Sequence, residues 1–189
     1  MLLETIRCEN GEAYNLIYHQ QRMERSLEKL GWRAIYDLKS LILPPNDGLY
    51  RCRFLYDADH YTVEYHPYTP KKISSLRLLQ ADALDYSLKS ADREALNALF
   101  AQRGSSDDVL IVKNNLLCDT TIANIALLID NQWLTPSTPL LEGTTRARLL
   151  DEGFLSAACL TPKDIQKADK IAIMNAMVGF VEVENGIIS

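Results

Sequence analysis

Apolar and polar residues alternate every second position through much of this chain, and a helical period appears in only a few windows. Leu2 to Cys8 alternates as a strand does, Glu9-Asn10-Gly11 has the composition of a hairpin turn, and Ala13 to Ile17 reads as a returning strand. From Tyr18 the period changes. Leu16, His19, Met23, Leu27 and Leu30 fall near one helical face, Gln20, Arg25, Glu28 and Lys29 lie elsewhere, and Gly31 is the stop. A second helix is expected over Ala34 to Leu43, broken by Pro44-Pro45-Asn46-Asp47-Gly48. Tyr50 to Tyr56 and Tyr61 to Tyr65, joined by Asp57-Ala58-Asp59, have the β-branched and aromatic content of a half-buried hairpin. A proline-bearing connector from Pro67 to Lys72 leads into a strand from Ile73 to Leu79.

Residues Gln80 to Asp85 read as a hinge, which divides the chain into lobes 1–80 and 81–189. In the second lobe, a helix is expected from Ala91 to about Arg103, ended by Gly104. A meander follows: Asp108 to Lys113, a turn at Asn114-Asn115, Leu116 to Cys118, Asn124 to Ile129, a turn at Asp130-Asn131, and Gln132 to Leu134. The remainder predicts a helix over Thr145 to Glu152, a strand over Ser156 to Leu160, a short helix capped by Thr161 with Pro162 inside it, and strands over Lys170 to Asn175 and Gly179 to Val183. The fold class is mixed α/β, with two small mixed-sheet lobes that carry helices.

Composition narrows the function classes. With 189 residues, 47% of them hydrophobic, the chain can bury a substantial core. The net charge of −5 lacks the basic face that a phosphate backbone demands, so no nucleic-acid partner is expected. Cys8, Cys52, Cys118 and Cys159 have no metal-ligand spacing and read as buried thiols of a reducing, cytoplasmic compartment, with no metal site expected. Met1 to Arg7 is too short and too soon charged to read as a signal peptide, and no apolar run approaches the roughly twenty residues of a membrane span, so no membrane partner is expected.

Three motifs carry the candidate chemistry. Lys89-Ser90-Ala91-Asp92-Arg93 offers an amine just before a predicted helix; Asp119-Thr120-Thr121-Ile122-Ala123-Asn124 offers a carboxylate; Gly143-Thr144-Thr145-Arg146 opens a helix with small, hydroxylated residues. Each has an ordinary reading: a solvated lysine, an aspartate bonded to its own turn, a common helix start. Together they supply what pyridoxal phosphate needs, an amine for its aldehyde, an acid for its ring nitrogen and a helix N-terminus for its phosphate.

In order and spacing the motifs resemble the class IV pyridoxal-phosphate aminotransferases and lyases, the group of branched-chain aminotransferases, D-amino-acid aminotransferases and 4-amino-4-deoxychorismate lyases. The resemblance runs from Leu3-Glu4-Thr5-Ile6-Arg7 to the strand around Ala168 to Gly179. It implies that Lys89 is the catalytic, cofactor-bearing lysine and that Asp119 stands where the family writes glutamate, with Asn124 at the family's spacing. It also implies that Thr144 and Thr145 meet the phosphate, that Arg22 reaches the same phosphate from the other lobe, and that the cofactor lies in a cleft between the lobes. His19 reads as structural, as do His60 and His66.

Relatives usually carry a few tens of residues ahead of the Glu-Thr-Ile-Arg strand. This short form is most similar to the lyase domain fused to aminodeoxychorismate synthase subunits, whose Leu-Leu-Glu-Thr and Pro-Leu-Leu-x-Gly-Thr strings recur at Leu2 to Thr5 and Pro139 to Thr144. The implied activity is a 4-amino-4-deoxychorismate lyase of folate synthesis that releases pyruvate and p-aminobenzoate. A class IV aminotransferase and a non-catalytic relative remain the alternatives. The same resemblance implies a small-molecule substrate, whose carboxylates would meet Thr5, Arg51 or Arg53, and a homodimer.

Overall fold

The computed structural model describes residues 1–184, 186 and 187. The chain groups into two compact units, 1–70 with 88–92, and 71–87 with 93 onward. The boundary expected at 80/81 therefore falls inside the second unit, because Gln80 ends a strand there. Residues 88–92 return to the first unit for a backbone reason. The Leu3 amide donates to the Lys89 carbonyl at 2.9 Å, the Ala91 amide to Met1 at 3.1 Å, and Leu2 and Ser90 form an antiparallel bridge.

In the first unit, β1 (Leu2–Glu9), β2 (Glu12–Ala13), β3 (Leu49–Tyr56) and β4 (Tyr61–Pro67) form an antiparallel sheet in the order β2-β1-β3-β4. Helix α1 (Leu16–Leu30) ends at Gly31, whose φ of 67° suits glycine, and its Met23 and Leu27 pack with Ile6, Cys8, Cys52, Phe54 and Tyr56 on one sheet face. The return strand expected over Ala13 to Ile17 shrinks to two residues because Asn15 adopts a left-handed φ of 56° and turns the chain into α1. The second helix shrinks as well, to α2 (Leu38–Leu41). Trp32, Ala34 and Tyr36 are half-buried while Arg33 and Ile35 are exposed, which is the period of extended chain. Gln20 of α1 fixes that path, donating to the Tyr36 carbonyl and accepting from the Leu38 amide.

The second unit contains β5 (Leu76–Gln80), α3 (Glu94–Ala101), β6 (Asp108–Lys113), β7 (Leu116–Thr120), β8 (Asn124–Ile129), β9 (Gln132–Pro136), α4 (Thr144–Asp151), β10 (Ser156–Ala158), β11 (Lys170–Asn175) and β12 (Gly179–Glu182), with a 3₁₀ turn at Pro162–Lys167. Its sheet runs β10-β9-β8-β7-β6-β5, with β11 paired to β8 and β12. The Asn114-Asn115 and Asp130-Asn131 turns have positive φ at both residues, as tight hairpins of this twist require. Leu110, Val112, Leu117, Ile125, Leu127 and Ile173 form the core on one side of the sheet. On the other, Val109, Ile111 and Cys118 pack with Leu96 of α3, while Ala126 and Met174 pack with Leu149 of α4.

One irregularity positions the chemistry. Leu110 pairs with Thr120 but Val112 with Leu117, so β7 carries an extra residue as a β-bulge. Strict alternation would put Asp119 on the side of Leu117. The bulge instead sends Cys118 and Asp119 to the same side, Cys118 against Leu140 and Asp119 onto the amide of Leu141.

Candidate active site

In the second unit, Asp119 is 4% exposed and its two oxygens face separate donors. Oδ1 accepts from Asn124 Nδ2 at 2.8 Å, and Oδ2 accepts from the Leu141 amide at 2.9 Å. The turn-residue reading of Asp119 does not describe these bonds. It is Thr120 whose hydroxyl accepts the amides of Ile122 and Ala123 and caps the hairpin. Arg93 supports the same turn, donating Nη2 to the Thr121 carbonyl at 2.8 Å, while the Thr121 hydroxyl donates to the buried Asp108 at 2.8 Å. Burial pushes the Asp119 carboxyl up to about 7, against the pull of the Asn124 and Leu141 hydrogen bonds and the Arg146 charge.

The segment that reaches Asp119 is also the entry to α4. Gly143 is the N-cap and has no side chain to cap with, and Thr144 and Thr145 are 4% and 5% exposed. Amides of a first turn have no partner within their own helix, so a buried helix N-terminus is a donor set suited to an anion. Arg146 is missed as a site residue by the motif reading. It is buried, donates Nη2 to the Pro136 carbonyl at 2.8 Å, and holds Nε buried without a hydrogen-bond partner among the described residues. The structure thus brings Asp119, Asn124, Thr144 and Thr145 into one constellation and adds Arg146 to it.

In the first unit, Arg22 has an immediate partner that its motif does not name. Arg22 donates through Nε at 2.9 Å and through Nη2 to the carboxylate of Glu4, which is fully buried. His19, also fully buried, lies with Nδ1 2.6 Å from the same carboxylate. Burial would raise Glu4, but the Arg22 guanidinium and the hydrogen bonds from His19 and Arg22 hold it at about 2. Burial lowers His19 from its ordinary 6.5 in spite of Glu4, which favours the neutral imidazole, so Nδ1–H donates to an ionised carboxylate in a charge-assisted hydrogen bond rather than an ion pair. Lys89 is half-buried, and its charge acts on His19. The signal for the acid was present in the sequence, since Glu4 falls among Leu2, Ile6 and Cys8 on the apolar face of β1.

Thr5 and Arg53 are directly opposite on β1 and β3, as are Arg7 and Arg51, on the sheet face away from α1. Arg53 pairs with Glu64 at 2.7 Å, whereas Arg51 is exposed. Of possible cation ligands among the described residues, Asp57, Asp59 and His60 cluster in the β3–β4 turn, where Asp57 already accepts the amides of Asp59 and His60. No described helix is long and apolar enough to cross a membrane.

Comparison with known proteins bears on the family and the fold. The model of the amino-transferase class IV family matches residues 55–185. An uncharacterized protein of Haemophilus influenzae is 40% identical over 184 residues, 94% of this chain and 98% of its own length. A Haemophilus somnus crystal structure, provisionally named a 4-amino-4-deoxychorismate lyase, superposes with a TM-score of 0.89 at 37% identity, covering 94% of this chain and 96% of that one. A hypothetical aminotransferase of Mycobacterium tuberculosis, in a form with α-ketoglutarate and PMP bound, shares the fold with a TM-score of 0.81 at 18% identity over 98% of this chain and 80% of its own. The chain belongs to the class IV aminotransferase family, with that family's two-sheet mixed α/β fold.

Proposed function

We propose that this protein is a pyridoxal-phosphate-dependent 4-amino-4-deoxychorismate lyase. The observation that carries the proposal is the connection of Asp119 to the entry of α4 through Asn124 and Leu141. A buried acid pushed to about 7 gains from a cationic N–H beside it, and a buried helix N-terminus with glycine at its N-cap gains from a phosphate. The residues fit the cofactor by that chemistry. Asp119 would hold the ring nitrogen protonated, Thr144 and Thr145 with the α4 amides would hold the phosphate, and Arg22, oriented by Glu4, would add charge there. When bound, the cofactor supplies an aldehyde that condenses with amines and a ring that accepts electrons.

Lys89 would hold the cofactor at rest, yield to the substrate amine, and then take the proton from the carbon that bears nitrogen. The electron pair left behind would become a double bond of the substrate ring as the neighbouring bond to the enolpyruvyl oxygen is lost, and Lys89 would return its proton to the enolpyruvate carbon to give pyruvate. Aromatisation to p-aminobenzoate drives the step. Arg51 and Arg53, with Thr5 beside Arg53, would meet substrate carboxylates. The provisional name of the Haemophilus somnus relative supports the lyase over a transaminase.

The test incubates the purified protein, loaded with pyridoxal phosphate, with 4-amino-4-deoxychorismate. Stoichiometric pyruvate and p-aminobenzoate are expected with no keto-acid acceptor added. Turnover that requires a keto-acid acceptor identifies a transaminase instead. We further propose that the protein acts as a homodimer, as the family resemblance implies, for which light scattering gives the mass directly.

A further inference from the structure

Asn124 stands among the cofactor ligands by its motif, but its hydrogen bonds give it another task. Its Nδ2 carries two hydrogens, and both are used, to Asp119 Oδ1 at 2.8 Å and to the Leu141 carbonyl at 2.8 Å. The Leu141 amide returns to Asp119 Oδ2 at 2.9 Å, so acid, amide side chain and peptide close a ring. The other end of the same side chain lies against Gly143, where any Cβ would overlap Asn124 Oδ1. Gly143 has an ordinary φ of −69°, so its need for glycine is one of space and not of backbone conformation.

We propose that Asn124 is a positioning residue that locks Asp119 to Gly143 at the entry of α4, so that the acid meant for the ring nitrogen and the helix end meant for the phosphate move as one body. The proposal rests on the cofactor roles assigned above to those two ends. Its physical basis is the ring of bonds. A charged carboxylate accepts hydrogen bonds roughly twice as strong as a neutral one does, so ionised Asp119 grips both Asn124 and the Leu141 peptide more firmly. The loop that ends in Gly143 is then held most tightly in the charge state that a protonated ring nitrogen favours.

Two variants approach the lock from opposite ends: Asn124→Ala removes the amide, and Gly143→Ala displaces it. Without cofactor, each should raise the pH at which the ¹³C-labelled Asp119 carboxyl titrates by about one unit, because each loses a hydrogen bond that favours the charged form. With cofactor, each should weaken pyridoxal 5′-phosphate about tenfold and weaken phosphate-free pyridoxal less. The double variant should bind no worse than Gly143→Ala alone, since the overlap is relieved. An unchanged Asp119 titration in both variants, or independent addition of their effects in the double variant, would overturn the lock. A parent protein that binds no pyridoxal phosphate would instead overturn the cofactor reading, and the cofactor-free titration would still decide the lock.

Discussion

The main-chain carbonyl of Lys89 accepts the amide of Leu3 at 2.9 Å, next in sequence to the buried Glu4. This contact fixes the backbone of the segment that bears the amine without using the amine itself. Lys89→Ala should therefore keep its fold, with an unfolding free energy within about 2 kcal/mol of the parent, the ordinary range for a single substitution. It should lose covalent attachment of pyridoxal phosphate. Thermal unfolding checks the first half and borohydride reduction followed by mass mapping of peptides the second, and a label on any other lysine in the parent contradicts the assignment.

Asp119 makes a pH-dependent prediction. Its folded value, about 7, lies above the ordinary 3.8, so the folded chain holds a proton that the unfolded chain releases as pH rises. The carboxyl is neutral in both states below 3.8 and costs stability progressively up to about 7, to a plateau of roughly 4 kcal/mol without cofactor. Asp119→Asn removes this titration, although its amide NH₂ meets one of the two donors that now face the carboxylate. The melting temperature of Asp119→Asn minus that of the parent should rise between pH 4 and 7, measured without cofactor. Turnover should fall by at least tenfold, since a neutral amide no longer favours a protonated ring nitrogen. A pH-independent difference in melting temperature would show that Asp119 is not a neutral buried acid in the cofactor-free protein.

Much of this was legible in the sequence because the second unit is built from local signals. The Asn114-Asn115 and Asp130-Asn131 turns separate alternating strands, and the hairpins formed where those turns fall. The fold class, the family motifs and a helix over Thr145 to Glu152, found at Thr144–Asp151, followed from such patterns. The misses depended on contacts distant in the chain. Residues 34–37 have acceptable helix composition, but Gln20 takes their backbone groups into an extended path. The β7 bulge that turns Asp119 toward Leu141 is a register shift against β6, which no alternation count along one strand reveals. Arg22 was legible as a special arginine, whereas its pairing with Glu4 required the packing of α1 on β1.

Glu4 should govern acid stability in the first unit. Its folded value, about 2, lies below the ordinary 4.5, so its contribution is full above pH 4.5 and is lost as pH falls toward 2. His19, lowered from its ordinary 6.5 by burial, adds a loss that begins as pH drops below that value, because only the unfolded chain then takes up the proton. Glu4→Gln should cost roughly 3 kcal/mol at pH 7. The deficit against the parent should shrink between pH 4.5 and 2, as urea unfolding series at several pH values would reveal. A constant deficit across that range would mean that packing, and not charge, sets the contribution of Glu4.

The pairing of Arg22 with Glu4 changes how a phosphate role for Arg22 must be tested. Arg22→Ala alone strands a buried carboxylate, and breaking a buried pair from one side typically costs about 3–5 kcal/mol. A weaker cofactor affinity in that variant would therefore confuse a damaged fold with a lost ligand. Glu4→Gln with Arg22→Ala removes both charges and should recover part of the lost stability. If Arg22 also meets the phosphate, the double variant should bind pyridoxal 5′-phosphate about one to two powers of ten more weakly than Glu4→Gln does, at roughly 1.5–3 kcal/mol for a charged hydrogen bond. Phosphate-free pyridoxal should bind the two equally. Equal pyridoxal 5′-phosphate affinity in Glu4→Gln and the double variant would restrict Arg22 to neutralising Glu4, leaving the phosphate to the α4 N-terminus with Thr144 and Thr145.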